Sequence, residues 1–164
     1  MTLEQADGKS KSVRVLVVDD FAPWHGIVSK ILRKEPDLEV VGNASDGLEA
    51  VQEAQQLQPD LILLDIGLPK LNGIEAARRI REVSPASKIL VVSENHSVDV
   101  ARKALQTGAL GYVVKSDGAR ELLSGVKAVL EGKRFISSSL AGHFVLATTL
   151  SAGQSLLMFI TGLH

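Results

Sequence analysis

The chain has 164 residues, 45% hydrophobic and 23% charged, which suits one ordinary globular domain and excludes a disordered or fibrous class. A net charge of −1 gives no electrostatic bias toward nucleic acid or an anionic membrane surface, and the lack of cysteine excludes disulfides, thiolate catalysis and cysteine-ligated zinc. The histidines His25, His96, His143 and His164 are scattered without metal-ligand spacing.

Residues 1–12 are polar, carry both charge signs and have no apolar stretch, so they read as a disordered lead-in and not as a signal peptide. A cytoplasmic location is the expectation that follows. Val13 to Val18 is short, apolar and β-branched, and Asp19-Asp20 stops it, which predicts a buried strand. Pro23 suits the first turn of a helix. Trp24, Ile27, Val28, Ile31 and Leu32 recur at helical spacing until Glu35-Pro36. Leu38 to Asn43 is a second strand. Ser45 or Asp46 can cap a helix whose apolar side is Leu48, Val51, Ala54 and Leu57.

Leu61 to Leu64 is apolar throughout, as a strand covered on both faces requires, and ends abruptly at Asp65. Asn72 or Gly73 opens a helix with Ile74, Ala77 and Ile80 on one side, closed by Ser84-Pro85. Lys88 to Val92 is a fourth strand, ending at Ser93. Ser97 begins a helix carrying Val100, Ala101, Ala104 and Leu105, and Gly108 ends it. Leu110 to Val114 is a fifth strand, ending at Lys115. Asp117 is the expected cap of a last helix with Leu122, Leu123, Val126, Val129 and Leu130, stopped by Gly132.

Strand and helix thus alternate five times between Val13 and Gly132 with short connections. Parallel neighbours need a crossover, and here the crossovers are helices, so the fold expected is a doubly wound, five-stranded parallel α/β sheet. Ligands bind at the carboxyl ends of such strands. There the chain places Asp19-Asp20, Asp65, Ser93 and Lys115. Neighbouring strands lie about 4.8 Å apart, so these groups fall within reach of one small ligand.

Two like charges about 5 Å apart repel by roughly 3 kcal/mol at an effective dielectric near 20, a repulsion that a divalent cation relieves. All-oxygen ligands with open positions suit Mg²⁺. Asp65 can act as ligand and as nucleophile toward a phosphoryl group, with Lys115 and the Ser93 hydroxyl meeting charge on the transferred oxygens. Taken singly, each residue has an ordinary explanation as a turn, cap or surface charge. Independent capping needs would rarely place all of them at strand ends together.

The segments Val15-Leu16-Val17-Val18-Asp19-Asp20, Leu63-Leu64-Asp65-Ile66-Gly67-Leu68-Pro69-Lys70-Leu71-Asn72-Gly73, Ser93 and Gly111-Tyr112-Val113-Val114-Lys115 resemble the receiver domain of bacterial two-component response regulators. The resemblance implies a flavodoxin-like (βα)₅ fold of strand order 2-1-3-4-5. It further implies that Asp65 accepts a phosphoryl group from a sensor histidine kinase. Asp20, Asp65 and the Gly67 carbonyl would ligate Mg²⁺ directly and Asp19 through water. Ser93 and Lys115 would contact the phosphoryl group, and Tyr112 would be a switch aromatic that turns inward as Ser93 moves. Lys115-Ser116-Asp117 and Gly132-Lys133-Arg134-Phe135-Ile136-Ser137 resemble the subgroup that usually carries a C-terminal helix-turn-helix domain.

The receiver is expected over residues 13–137, followed by an uncharged apolar tail over 138–164. No Lys, Arg, Asp or Glu follows Arg134, and only about 30 residues remain where a helix-turn-helix domain needs roughly twice as many. Direct nucleic-acid binding is therefore not expected. Leu140 to Leu163 is long enough to span a bilayer, but His143, Gly153, Gln154 and several hydroxyl residues interrupt it and argue against a membrane helix. A helix packing on the receiver, pairing of two copies, and a remnant of a longer regulator all remain open.

The sequence reading is thus a stand-alone receiver that switches an unknown downstream partner or a homodimer. Beyond self-phosphorylation and self-hydrolysis it is not an enzyme. One alternative is a Mg²⁺-dependent aspartyl phosphatase or phosphotransferase, against which Gly67 stands where that chemistry uses a second aspartate. Another is an interaction module that is never phosphorylated.

Overall fold

The computed structural model describes residues 11–142. The expectations for residues 1–10 and 143–164 lie outside the described residues.

The elements follow in chain order: β1 (Val13–Val18), α1 (Ala22–Leu32), β2 (Leu38–Ala44), α2 (Gly47–Leu57), β3 (Leu61–Leu64), α3 (Gly73–Val83), β4 (Lys88–Ser93), α4 (Val98–Gln106), β5 (Gly111–Val114), a 3₁₀ turn (Lys115–Asp117), α5 (Gly118–Leu130) and β6 (Phe135–Ile136). The strands form one parallel sheet in the order β2-β1-β3-β4-β5-β6.

Side chains alternate across each strand, so two cores form. On one face Leu16, Val18, Ile62, Leu64, Ile89, Val91, Tyr112 and Val114 pack with α2, α3 and α4. On the other, Val15, Val17, Leu61, Leu63, Leu90, Val92 and Val113 meet Trp24, Val28, Ile31 and Leu32 of α1 and Leu122, Val126 and Val129 of α5. Burial on both faces is why Leu61–Leu64 is uniformly apolar.

The sheet has six strands where the sequence predicts five. After Gly132 turns the chain in a left-handed conformation (φ 80°), the Phe135 N–H bonds the Leu110 carbonyl and the Ser137 N–H bonds the Tyr112 carbonyl. Two residues are too short for a periodic signal, and pairing with the exposed edge of β5 is what makes them a strand. Leu140 continues the packing and is buried against the first core.

Asp46, Asn72 and Ser97 cap α2, α3 and α4 through the N–H groups of Glu49, Glu75 and Val100. Asp117, expected to cap α5, makes no such bond. Its carboxylate is taken by the Ser139 hydroxyl and by Arg120. Ile27 and Leu48 were expected on buried helix faces but are 45% and 50% exposed. Ala50, with Ala54, fills the inner side of α2 instead.

Among the described residues no helix is long and apolar enough to cross a membrane.

Candidate functional site

The register of the sheet builds the site. Val18 lies beside Leu64, Leu64 beside Val91, and Ser93 beside Val114. Asp19, Asp65 and Lys115 each follow immediately on one of these residues, and the Asp65 N–H bonds the Val18 carbonyl at 3.0 Å. Carboxylate oxygens of Asp19, Asp20 and Asp65 all lie within 4.8 Å of one another. Asp19 and Asp65 are buried and Asp20 is exposed, so the cluster opens to water on one side.

Lys115 is the cation of this cluster. Its Nζ stands 2.6 Å from Asp19 Oδ2 and 3.6 Å from Asp65 Oδ2, and 5.1 Å from the centre of the Trp24 ring. Asp19 Oδ1 accepts the Phe21 N–H at 2.8 Å. Asp19 Oδ2 is buried and, beyond the ionic contact with Lys115, receives no hydrogen bond. Asp65 Oδ1 accepts the Gly67 N–H at 3.1 Å. His25 braces the turn from β1, its ring nitrogens 2.8 Å from the Asp19 carbonyl and 2.8 Å from the Asn43 side chain.

Burial raises the Asp65 carboxyl above its ordinary range, opposed by the Gly67 N–H and by Lys115 and reinforced by the charges of Asp19 and Asp20. An ionised Asp65 is therefore held at a cost by the fold. Two of the three carboxylates share one ammonium, and one buried oxygen is left without a hydrogen bond. That hard, oxygen-only, under-neutralised donor set fits a small divalent cation such as Mg²⁺.

Gly73 fixes Asp65 from behind. A Cβ there would fall 2.3 Å from Ile66 Cα and 2.4 Å from the Asp65 carbonyl oxygen, so α3 begins in direct contact with the Asp65 backbone. The Gly73 N–H bonds the Ile66 carbonyl at 3.0 Å. Between α3 and α4 an open cleft of about 900 Å³ leads to the cluster, lined in part by Asp20, Asp65, Gly67, Ser93 and Lys115.

Ser93 is buried, and its Oγ accepts the Asn95 N–H at 3.1 Å. Tyr112 is fully buried, and its hydroxyl donates to the Asn95 carbonyl at 2.8 Å. Burial raises the Tyr112 phenol above its ordinary value; a bond with Ser93 opposes this and the charge of Asp65 adds to it. The inward Tyr112 is thus tied to the same loop as Ser93.

The structure brings together Asp19, Asp20, Asp65, Gly67, Ser93 and Lys115 around one opening, with Tyr112 behind Ser93. The sequence reading did not single out Trp24, His25 or Asn95. Trp24 was read only as a core residue, and its contact with Lys115 joins positions too far apart in the chain for periodicity to reveal.

The family model described as "Response regulator receiver domain" matches residues 15–127. The chain is 35% identical over 133 residues to the transcriptional regulatory protein DegU of Brevibacillus brevis, covering 81% of this chain and 56% of that protein. It is 37% identical over 142 residues to the nitrate/nitrite response regulator protein NarL of Escherichia coli, covering 86% of this chain and 64% of that one. The chain therefore spans about three fifths of these curated relatives.

Among solved structures, a LuxR-family two-component response regulator from Aurantimonas superposes with a TM-score of 0.80 at 32% identity, covering 85% of this chain and 99% of that one. The response regulator domain of Thermotoga maritima CheB superposes with a TM-score of 0.68 at 35% identity, covering 74% and 98%. The fold, the acidic cluster at its carboxyl edge and these likenesses agree: the chain belongs to the response regulator receiver domain family.

Proposed function

We propose that this chain is a phosphoacceptor switch in which Asp65 takes a phosphoryl group from the phosphohistidine of a sensor histidine kinase, or from a small acyl phosphate. The observation that carries the reading is Asp65 itself: a buried carboxylate opening into the cleft, within 4.8 Å of two others and 3.6 Å from Lys115.

An Asp65 oxygen attacks the phosphorus, and a new O–P bond forms as the P–N bond of phosphohistidine breaks. The departing imidazole keeps the electron pair and is neutralised by a proton from water. Lys115, already beside Asp65, moves its charge from the Asp19 oxygen toward the transferred group, and the Ser93 hydroxyl donates to another of its oxygens. Asp19, Asp20, Asp65 and the Gly67 carbonyl would hold Mg²⁺. When bound, the ion supplies charge neutralisation and a rigid template for the phosphoryl oxygens. Water later attacks the acyl phosphate and restores Asp65.

The chain then acts as a switch and not as a turnover enzyme. Phosphorylation biases a two-state equilibrium in which Ser93, Tyr112 and the loop at Asn95 move together, changing what the domain binds, a second copy of the chain or a downstream protein. A cytoplasmic location follows from a kinase donor of this kind. Transcriptional regulation is named for relatives of which this chain covers only a part, and DNA binding is not assigned to residues 11–142.

The test is intact-protein mass spectrometry after incubation with Mg²⁺ and acetyl phosphate. Gain of one phosphoryl group in the wild type and none in Asp65→Asn is the expected result. No gain in a folded wild type would favour an interaction module that is never phosphorylated. Turnover of a soluble phosphoester would favour a phosphatase.

A further inference from the structure

We propose that Trp24 is a positioning residue for Lys115, its indole face holding the ammonium at the junction of Asp19 and Asp65; the inference rests on the phosphoacceptor reading and names what regulates its cation.

Three observations converge. Lys115 Nζ lies 5.1 Å from the centre of the Trp24 ring, within the range of a cation–π contact. Trp24 is 8% exposed and belongs to the core between α1 and α5, so its ring is fixed by packing and does not sample rotamers in water. The space for that ring is made by Gly118, the first residue of α5, where a Cβ would come 3.0 Å from Trp24 Cη2. The ring comes from α1 and the lysine from the turn between β5 and α5, so the fold holds the two partners from separate elements.

The chemistry explains why an aromatic floor suits this lysine. An ammonium on a flexible four-carbon stem must be restrained to act, yet here it must pass from Asp19 to a group forming on Asp65. A hydrogen bond from a carbonyl or a third carboxylate would hold one N–H in one direction and would deepen the hold of one end of that path. The negative face of an indole attracts the charge without consuming an N–H, so all three donors stay available. The 2.6 Å and 3.6 Å distances to the two aspartates place the ammonium between its start and its target, with the ring 5.1 Å from it. The apolar but non-aromatic alternative, leucine, would keep the position apolar without attracting the cation.

A double-mutant cycle with acetyl phosphate and saturating Mg²⁺ tests this, with phosphoryl uptake followed by intact mass. Trp24→Leu is expected to slow uptake about tenfold, the loss of a desolvated cation–π contact, and Trp24→Phe, which keeps a weaker π face, about threefold. In a Lys115→Met background, Trp24→Leu is expected to slow uptake less than about twofold further, because the partner is gone. Gly118→Ala, which displaces the ring, should resemble Trp24→Phe. Equal rates in Trp24→Leu and wild type, or losses that multiply fully in the double variant, overturn the proposal.

A second readout does not depend on phosphorylation. The Lys115 Hε protons should be shifted upfield by the indole ring current in the wild type and return toward ordinary lysine values in Trp24→Leu. If wild type takes up no phosphoryl group but shows that shift, the phosphoacceptor reading fails and the positioning contact stands. If it takes up the group and shows no shift, the positioning inference alone fails.

Discussion

Two acidic clusters lie close along the chain's carboxyl-edge elements, and their contrast separates a site from a fixture. In the first, Asp19 and Asp65 share the ammonium of Lys115 with exposed Asp20 close by, and Asp19 Oδ2 has no hydrogen bond. In the second, Asp117 and Glu121 are saturated. Glu121 accepts the hydroxyls of Ser137 and Ser138 and the Ser138 N–H, while Asp117 accepts Ser139 and Arg120. Ser137 Oγ also accepts the Val114 N–H at 2.9 Å, fastening the chain after β6 to the residue that precedes Lys115.

The titrations of Asp65 and Asp117 run in opposite directions, each from its own leading cause. Burial leaves the Asp65 carboxyl raised, whereas the Ser139 hydroxyl leads the effects that lower Asp117. Asp117, whose hydrogen bonds the fold completes, is stabilised as an anion; Asp65, buried with fewer partners, is not.

The sharpest way to break this comparison is Asp65→Asn. It should abolish phosphoryl uptake and yet raise stability at neutral pH, read as a higher melting temperature. The sign follows from the raised carboxyl: the native state binds the proton more tightly than the unfolded chain, so ionised Asp65 destabilises the fold. That penalty is present above the native pKa and vanishes as pH falls through it toward 3.8, so the advantage of Asn should shrink on acidification. A less stable variant at pH 7 would contradict the account. Mg²⁺ should raise the stability of the wild type by about 1.4 kcal/mol at ten times its dissociation constant, and that of the Asn variant less.

Gly73→Ala should cost about 1–3 kcal/mol, because the new Cβ meets backbone of Ile66 and Asp65 that cannot yield. Phosphoryl uptake should fall in the fraction that remains folded. A chemical denaturation curve together with the mass assay separates the two effects.

In the finished cluster, Ser137→Ala should cost about 1–3 kcal/mol, since it leaves the buried Val114 N–H without its acceptor and removes a donor to Glu121. Because Val114 adjoins Lys115, this variant also tests whether the segment after β6 is coupled to the site. A changed phosphorylation rate in folded protein would show coupling, and an unchanged rate would confine the clamp to stability.

Ser139→Ala should have the smallest effect, under about 1 kcal/mol. Asp117 is lowered in the fold, so its contribution is present above the unfolded value near 3.8 and is lost as pH falls through the lower native value. Wild type and Ser139→Ala should therefore converge in acid. Asp65→Asn also converges with wild type there, but from the more stable side.

Much of this molecule was legible in one dimension. The uniformly apolar Leu61–Leu64, the β-branched Val13–Val18 and the helix stops at Pro36, Pro85 and Gly108 follow local rules of burial and backbone geometry, and they predicted five strands in order with their carboxyl ends. The residues Asp19, Asp20, Asp65, Ser93 and Lys115 were visible because each ends a strand, a position that pattern alone locates. What pattern could not reach depends on partners distant in sequence. β6 exists through the open edge of β5, Asp117 turned from helix cap to anchor when Ser139 arrived beside it, and Ile27 and Leu48 face outward although their spacing allowed an inner face. The Trp24–Lys115 contact required Gly118 to clear its space. Periodicity and turn chemistry are properties of neighbours along the chain, and they determined the elements and where the site would lie. Which carboxylate is satisfied and which is left waiting is a property of neighbours in space, and only the tertiary structure decided it.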